Sequence, residues 1–282
     1  MAARTARRSG PAGWTRTGIG VLILAVMLFP LYWMVNASFQ TNAQIALPSP
    51  HWLPIGGTLS GYHDALREQG GHFATSVVVA LGTTVLALLI ATPASYAISI
   101  LRARGAQAVI LFLLVAQLIP GIVMANALYR IFLPLHLLNS VGGLILADST
   151  LAVPFAVLIL RAFMVAIPRE LIEAARIDGA GSIRVLLSVV LPVSRNAVIT
   201  SALFAFLFAW GDFLFASTLN LGATDSTPIS VGLYSFIGAG TNTTSWNSVM
   251  ATAVLASAPA AVLLVLAQRY IAAGVTRGAV KD

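Results

Sequence analysis

Six long apolar runs constrain the fold of this chain more than any other feature of its 282 residues. A transmembrane helix needs about 20 mostly apolar residues to cross about 30 Å of hydrocarbon, and each run is long enough. Hydrophobic residues make up 58% of the chain and charged residues only 9%, which is more apolar than a soluble protein needs. We therefore predict an all-α membrane protein with six transmembrane helices. The predicted spans lie near 18–38, 73–101, 107–130, 142–166, 196–219 and 248–271.

The first apolar run follows a cluster of arginines, as the apolar core of a signal peptide also does. That core is usually about 7–15 residues long, and this run is longer. We predict that it is retained as the first span.

The basic residues predict the orientation of the chain. With the N-terminus inside, fourteen of the sixteen Lys and Arg residues fall on the inner side, and only Arg67 and Arg130 fall outside. Such an asymmetry places both termini in the cytoplasm, because inner loops carry the excess of Lys and Arg. We predict cytoplasmic tails at 1–17 and 272–282 around a transmembrane domain at 18–271, in a bacterial-type inner membrane. The net charge of +7 then needs no nucleic-acid partner.

The sequence offers no means of binding a cofactor. It has no cysteine, which excludes disulfides, thiolate metal sites and cysteine nucleophiles. No two of its four histidines are spaced as in a zinc-protease helix, and the only lysine, Lys281, is followed by Asp282 and so cannot complete a phosphate-binding P-loop. We predict that ATP and magnesium, if used, bind a separate subunit.

The inner loop between the fourth and fifth spans is rich in charge. Six charged residues lie between 169 and 184. At about 2.5–3.5 kcal/mol for each charge at the bilayer centre, their burial in lipid would cost about 15–20 kcal/mol. The segment therefore lies outside the bilayer.

Local signals in this loop predict a helix, a glycine turn and a second helix. Pro168 suits the first turn of a helix, and Gly179 suits its end. Ser182 is a candidate N-cap for a second helix that reaches Leu191, and Pro192 marks the next break. These residues alone leave two interpretations open: a solvated connection with ordinary pairs such as Arg169 with Glu173, or a docking element.

A resemblance decides between the two interpretations. The loop, about 168–192, resembles the EAA loop of ABC importer permeases, with every spacing kept and Val189 in place of the usual isoleucine. The matching residues and their neighbours are Glu173, Ala174, Ala175, Arg176, Asp178, Gly179, Ala180, Leu191 and Pro192. In that family the loop is a coupling helix that inserts into a separate ATP-hydrolysing subunit.

The resemblance extends along most of the chain and narrows the family to carbohydrate importers, where the chain is similar to the smaller membrane subunit of the maltose importer. The chain departs from the family pattern at Gly211, where asparagine is usual, and at Asn196, where proline is common. The absence of a proline at 196 suggests a straighter entry into the fifth span. The resembling segments are HWLPIGGTLSGYHDAL (51–66), ATPASYAISILRARG (91–105), IPGIVMANALYRIFLPLHLLNSVGGLIL (119–146), FAWGDFLFASTL (208–219) and QRYIAAGVTRGAVKD (268–282).

The resemblance implies a complex and a role for the loop. The implied partners are a second homologous permease, two copies of an ABC ATPase and an extracytoplasmic sugar-binding protein. Glu173 would anchor the loop at the ATPase, Gly179 would allow the turn, and Arg176 and Asp178 would hold its shape by local pairing. The chain itself would be no enzyme.

Polar and aromatic residues in the spans are candidates for the substrate pathway. They are Gln117, Asn126, Tyr129, Trp210 and Asp212. Amides and aromatics in spans also pack or bridge helices, and that alternative stays open for each. For Asp212, a charge well inside a span, an interhelical or partner-facing hydrogen bond is favoured over direct sugar contact.

Two other functions compete with the permease. An ion-coupled secondary transporter would use ionisable relays or inverted repeats, for which one intramembrane aspartate is thin support. An intramembrane aspartyl protease would need two facing aspartates, and Asp148 with Asp212 is the only pair to propose.

Overall fold

A computed structural model describes residues 11–220, 226–238 and 245–279. Within these ranges every regular element is a helix, which confirms the all-α prediction. Residues 1–10 and 280–282 of the predicted tails lie outside the described residues. The helices are α1 (Pro11–Ser38), α2 (Asn42–Ile45), α3 (Ser60–Ser99), α4 (Ala106–Ala116), α5 (Gly121–Phe132), α6 (Val141–Met164), α7 (Arg169–Ile177), α8 (Ser182–Val185), a π-helical turn (Leu186–Val190), α9 (Leu191–Val193), α10 (Arg195–Gly211), α11 (Leu214–Leu219), α12 (Ile229–Gly238) and α13 (Trp246–Ala279).

Four helices are long and apolar enough to cross a membrane by themselves, and they correspond to the first, second, fourth and sixth predicted spans. They are α1, α3, α6 and α13. The third predicted span is bent by 102° between α4 and α5, and the helices at 182–193 and 195–211 meet at 82°. The number of spans is therefore four to six, and it is six if each bent pair crosses once.

Three boundary predictions are wrong. The fifth span does not run unbroken to 219, because the helix stops at Gly211 and resumes as α11. Gly181, not Ser182, occupies the N-cap of α8. The break expected at Pro192 falls at Ser194, and the 82° bend there contradicts the straighter entry expected from Asn196.

The chain forms two compact units. The first comprises residues up to 67 together with 240–255. Here polar side chains secure the segment after α1: the Asn36 and Gln40 amides each donate to the His51 carbonyl, at 2.7 and 2.8 Å. Near the start of α13, Ser248 donates to the Asp64 carboxylate at 3.1 Å. The long apolar window of α1 is not buried at all.

The second unit comprises 68–239 and 256–282 and contains the main apolar clusters. Where α3, α6 and α10 meet, the buried residues are small: Ala87, Ala152 and Ala205 are at most 2% exposed. Small side chains let transmembrane helices approach closely, which strengthens packing where lipid supplies no hydrophobic driving force between them. α6 is therefore the central packing element of this unit.

Helix α12 was missed by the sequence analysis, which left 229–238 in an outer loop. Its N-terminal residue Ile229 is 2% exposed, and the Ile229 N–H donates to Ser76 Oγ on α3 at 2.8 Å. Pro228 directly before an apolar segment is the signal that would have indicated this helix start.

Two adjacent glycines in the first turn of α6 give a matched test of the packing. A Cβ at Gly143 would overlap the Leu137 carbonyl oxygen, whereas a Cβ at Gly142 would meet no atom within 4 Å. We predict that Gly143→Ala lowers stability by about 1–3 kcal/mol through overpacking. Gly142→Ala, as the control, should be neutral or stabilising by up to about 1 kcal/mol. Thermal unfolding of the detergent-purified protein measures both, and equal stability of the two variants would contradict the packing described.

Candidate functional site: the EAA loop and two helix breaks

The EAA loop begins with α7, whose charges follow its dipole. Pro168 precedes the helix in an extended conformation, with φ −56° and ψ 132°. Glu170 lies in the first turn and Arg176 in the last. Acidic residues near the N-terminus and basic residues near the C-terminus stabilise a helix, so α7 is locally favourable outside the bilayer.

One face of α7 is anchored to the ends of the neighbouring spans. Ile172 is 5% exposed and belongs to a buried cluster with Leu160, Met164 and Ile167, at the end of α6, and with Val185 of α8. α7 therefore packs directly against the end of α6 and against the segment that leads into α10.

A left-handed glycine turn ends α7, as predicted. Gly179 has φ +79°, its N–H donates to the Arg176 carbonyl, and the Ala180 N–H donates to the Ala175 carbonyl, both at 3.0 Å. This pair of bonds is typical of a helix that ends at glycine. Helix, glycine turn and helix are thus confirmed as the architecture of the loop.

The opposite face of the loop is exposed and partly apolar. Glu173 and Ala174 are exposed. Ile177 and Ile183, on either side of the glycine turn, are 86% and 76% exposed. These two isoleucines were not among the predicted site residues. Their signal was an apolar residue at each flank of a charged loop that lies outside the membrane.

Arg176 and Asp178 were expected to hold the shape of the loop by local pairing, and within the described residues neither side chain forms an ion pair. Arg169 and Glu173 form no ion pair with each other in the described part of the chain either. Side chains two positions apart on a helix point in different directions, so Arg176 and Asp178 do not face each other. Backbone hydrogen bonds hold the turn instead.

The second half of the loop changes its helical winding. The π-helical turn follows α8, with Val190 buried, Leu191 half-buried and Pro192 exposed. Pro192 lies in α9, which continues the π-helical turn without a break, so its ring and missing N–H fall inside a continuous helical segment. A wider turn inside a helix marks many functional sites.

Two helix breaks meet in the second unit. Gln117 ends α4 at the 102° bend, and Asp212 lies between α10 and α11. A Cβ at Gly121, the first residue of α5, would lie 3.0 Å from Leu214 Cδ2, the first residue of α11. Broken helices with facing ends form substrate sites in many transporters.

Asp212 serves as a cap. Its carboxylate accepts hydrogen bonds from the N–H groups of Phe215, at 3.2 Å, and Ala216, at 2.9 Å. Its carbonyl accepts a bond from Ser230 Oγ of α12 at 2.5 Å. The carboxylate thus satisfies the first turn of α11, which explains an acidic residue inside a predicted span.

The other pathway candidates are differently placed. Trp210 is 6% exposed, its indole N–H donates to the Ala256 carbonyl at 2.9 Å, and its ring stacks on Phe206. These contacts favour the packing alternative for Trp210. On α5, Asn126 is exposed but its amide donates to the Ile122 carbonyl at 2.9 Å, and Tyr129 is half-buried. A pathway role for Gln117, Asn126 and Tyr129 stays a prediction.

An aromatic pair beside the Asp212 break was not anticipated. The rings of Phe213 and Tyr234 meet edge to face with centroids 5.3 Å apart. Tyr234 is on α12 and is 65% exposed, so the pair presents an aromatic and hydroxyl surface beside the break.

The helical fold, the EAA loop and the paired breaks together define a membrane permease. Residues 101–277 match the family model described as the binding-protein-dependent transport system inner membrane component, and the chain belongs to this family. It is a multi-pass membrane protein, and the predicted likeness to ABC importer permeases is confirmed.

Relatives of known name match nearly the whole chain. The sulfoquinovosyl glycerol transport system permease protein SmoH of Agrobacterium fabrum is 32% identical, over 92% of this chain and 91% of its own length. The trehalose/maltose transport system permease protein MalG of Thermococcus litoralis is 31% identical, over 93% of this chain and 95% of its own.

A solved structure shares the fold. It is a chain of a bacterial ABC transporter involved in the import of the acidic polysaccharide alginate, which superimposes with a TM-score of 0.82 at 20% identity. The match covers 96% of this chain and 99% of that one.

Variants of Asp212 distinguish two roles of its side chain: capping of α11, and a role in transport that depends on its charge. The two bonds use different carboxylate oxygens, and asparagine keeps one acceptor oxygen, so Asp212→Asn should keep one bond and most of the transport, whereas Asp212→Ala should lose both bonds and about 1 kcal/mol of stability. Thermal unfolding and ATP-driven uptake by the assembled importer measure the two effects. Equal loss of transport in both variants at unchanged stability would contradict the capping role.

Proposed function

We propose that this chain is a permease subunit of an ATP-driven importer for a sugar or sugar derivative. It forms half of the translocation pathway together with a second homologous permease. Two copies of an ABC ATPase dock on the inner loops of the permease pair, this chain couples to an ATPase through its EAA loop, and an extracytoplasmic sugar-binding protein delivers substrate. The chain hydrolyses no ATP, and ATP and magnesium bind the ATPase subunits.

The observation that carries this proposal is the two-sided geometry of α7. One side is anchored by Ile172 among the ends of the spans, and the other exposes Ile177; Ile183, on α8 after the glycine turn, is exposed as well. Exposed apolar residues on a charged loop favour docking into a groove of another protein, because water solvates them poorly. A docked helix of this kind transmits movement to α6 and α10 as a rigid lever.

The orientation follows from charge and from the EAA loop. The excess of arginines on one side favours a cytoplasmic N-terminus and C-terminus, and places the EAA loop where ATP is available. The exposed apolar window of α1 offers a surface for lipid or for the second permease.

The sugar assignment rests on the relatives and on the chemistry of the breaks. Permeases named for a sulfoquinovosyl glycerol and for trehalose and maltose are about one-third identical to this chain. Aromatic faces and neutral hydrogen-bonding groups suit sugars, and the Phe213–Tyr234 pair beside the facing breaks supplies both.

The competing functions gain less support. An ion-coupled carrier would need ionisable relays and an aspartyl protease two catalytic aspartates, whereas the Asp212 carboxylate caps α11 by accepting two backbone hydrogen bonds. Membership of the binding-protein-dependent family favours transport driven by a partner ATPase.

A pair of glycines tests the EAA loop as the coupling element. A Cβ at Gly179 or at Gly181 would meet no atom within 4 Å, but only Gly179 has a positive φ. Gly179→Ala therefore strains the turn by about 1–2 kcal/mol without any clash, and Gly179→Asn by less. We expect binding-protein-stimulated ATP hydrolysis and uptake to fall severalfold in Gly179→Ala, less in Gly179→Asn, and not in Gly181→Ala.

Two results would contradict the proposal. Equal coupling in the alanine variants of Gly179 and Gly181 would refute the role of the turn. A purified wild-type complex that contains no ATPase would refute the function as a whole.

A further inference from the structure

A cavity of about 230 Å³ lies between the EAA loop and the ends of two neighbouring helices. It is bordered by the end of α3 with the residues that follow, by the end of α6 with the residues that follow, and by α7. The exposed isoleucines and the helix breaks are not among its lining residues. Glu173 and Arg176 of the loop line it, but the proposed function gives the cavity no ligand.

Basic side chains dominate the lining. Arg102, Arg169 and Arg176 line the cavity and come from two separate segments, whereas Glu173 is the one acidic lining residue. Within the described ranges none of the three arginines forms an ion pair. The cavity therefore carries an excess of two positive charges and planar donors that match a phosphate group.

Backbone and hydroxyl donors add to this charge. The first turn of α7 borders the cavity at Arg169 and Ile172, and no side chain caps its N–H groups. Such a turn is the positive end of the helix dipole. Ser99 also lines the cavity, and its Oγ is shielded from solvent without a hydrogen-bond partner in the described part of the chain.

The backbone of Arg102 is strained. Arg102 follows α3 with φ +52°, in the left-handed region where glycine is the unstrained residue. An arginine in this strained backbone conformation suggests that its guanidinium group has a functional role.

We propose that this cavity binds a phosphate-bearing anion and thereby ties α7 to the ends of α3 and α6. Its volume is below the about 300–1,000 Å³ of pockets for drug-sized ligands, so it suits a headgroup or a small phosphate rather than a nucleotide. The ligand is the headgroup of an acidic lipid of the inner leaflet or a free phosphate. The lipid source rests on the cytoplasmic orientation of the loop in the proposed function.

The strained position provides a variant that tests binding without threatening the fold. Arg102→Gly removes the guanidinium and relieves the backbone strain, so the complex should assemble normally. Arg104→Gly is the control: it removes the same charge two residues further along the chain, from a side chain that does not line the cavity. Native mass spectrometry of the nucleotide-free importer complex, titrated with phosphatidylglycerol, phosphatidylcholine or inorganic phosphate, measures the affinities.

We expect the wild-type complex to bind phosphatidylglycerol more tightly than phosphatidylcholine. Relative to the wild type, the affinity for phosphatidylglycerol should be about fivefold lower in Arg102→Gly and unchanged in Arg104→Gly. If inorganic phosphate alone shows this dependence on Arg102, the cavity binds free phosphate. If neither ligand depends on Arg102, or both variants weaken binding equally, the proposal is overturned. The same spectra count the ATPase subunits, so failure of the proposed function is seen separately, as a wild-type complex without them.

Discussion

Hydrocarbon offers a peptide group no hydrogen-bonding partner, and the rest of this structure depends on how the chain meets that constraint. The long helices satisfy their own backbones. At the bend before α5, Pro120 has no N–H to satisfy, and the N–H groups of residues 117–119 bond to carbonyls of α4. At the break before α11, the Asp212 carboxylate supplies the missing acceptors. The two breaks are thus stable inside an apolar protein, and their ends can face each other.

The same constraint separates the two halves of the proposed mechanism. Six charges cannot enter the bilayer at about 2.5–3.5 kcal/mol each, so the EAA loop lies outside and is free to bind a partner. The breaks interrupt apolar helices, where a sugar would pass on the proposed function. Ile172 and Val185 hold the loop in the apolar cluster that also contains the end of α6. On the proposed function, a movement of the loop would reach α6 through this cluster.

Much of this architecture could be predicted, because apolar length and charge cost are properties of the sequence alone. The four continuous long helices and the turn at Gly179 followed from such local signals. The breaks at Ser194 and Asp212 did not, because the apolar length of a run does not show where its helix is interrupted, although the bonds from Phe215 and Ala216 to the Asp212 carboxylate are local. The contacts of α12 with Ser76 and of Trp210 with the Ala256 carbonyl could not be predicted either, because they join residues that are distant in sequence.

The central claim is that the exposed face of α7 lies in the cytoplasm and is covered by an ATPase. Because the chain has no cysteine, Ile177→Cys introduces a single thiol, and Ile55→Cys, at a site that is 78% exposed in the outer segment, is the control. Labelling with a membrane-impermeant maleimide in right-side-out and inverted vesicles shows on which side of the membrane each thiol lies and whether the ATPase shields it. The account predicts that the thiol at 177 reacts only in inverted vesicles and only after the ATPase is stripped, and that the thiol at 55 reacts only from the outside. Reaction at 177 from the outside, or equal reaction with the ATPase in place, would contradict it.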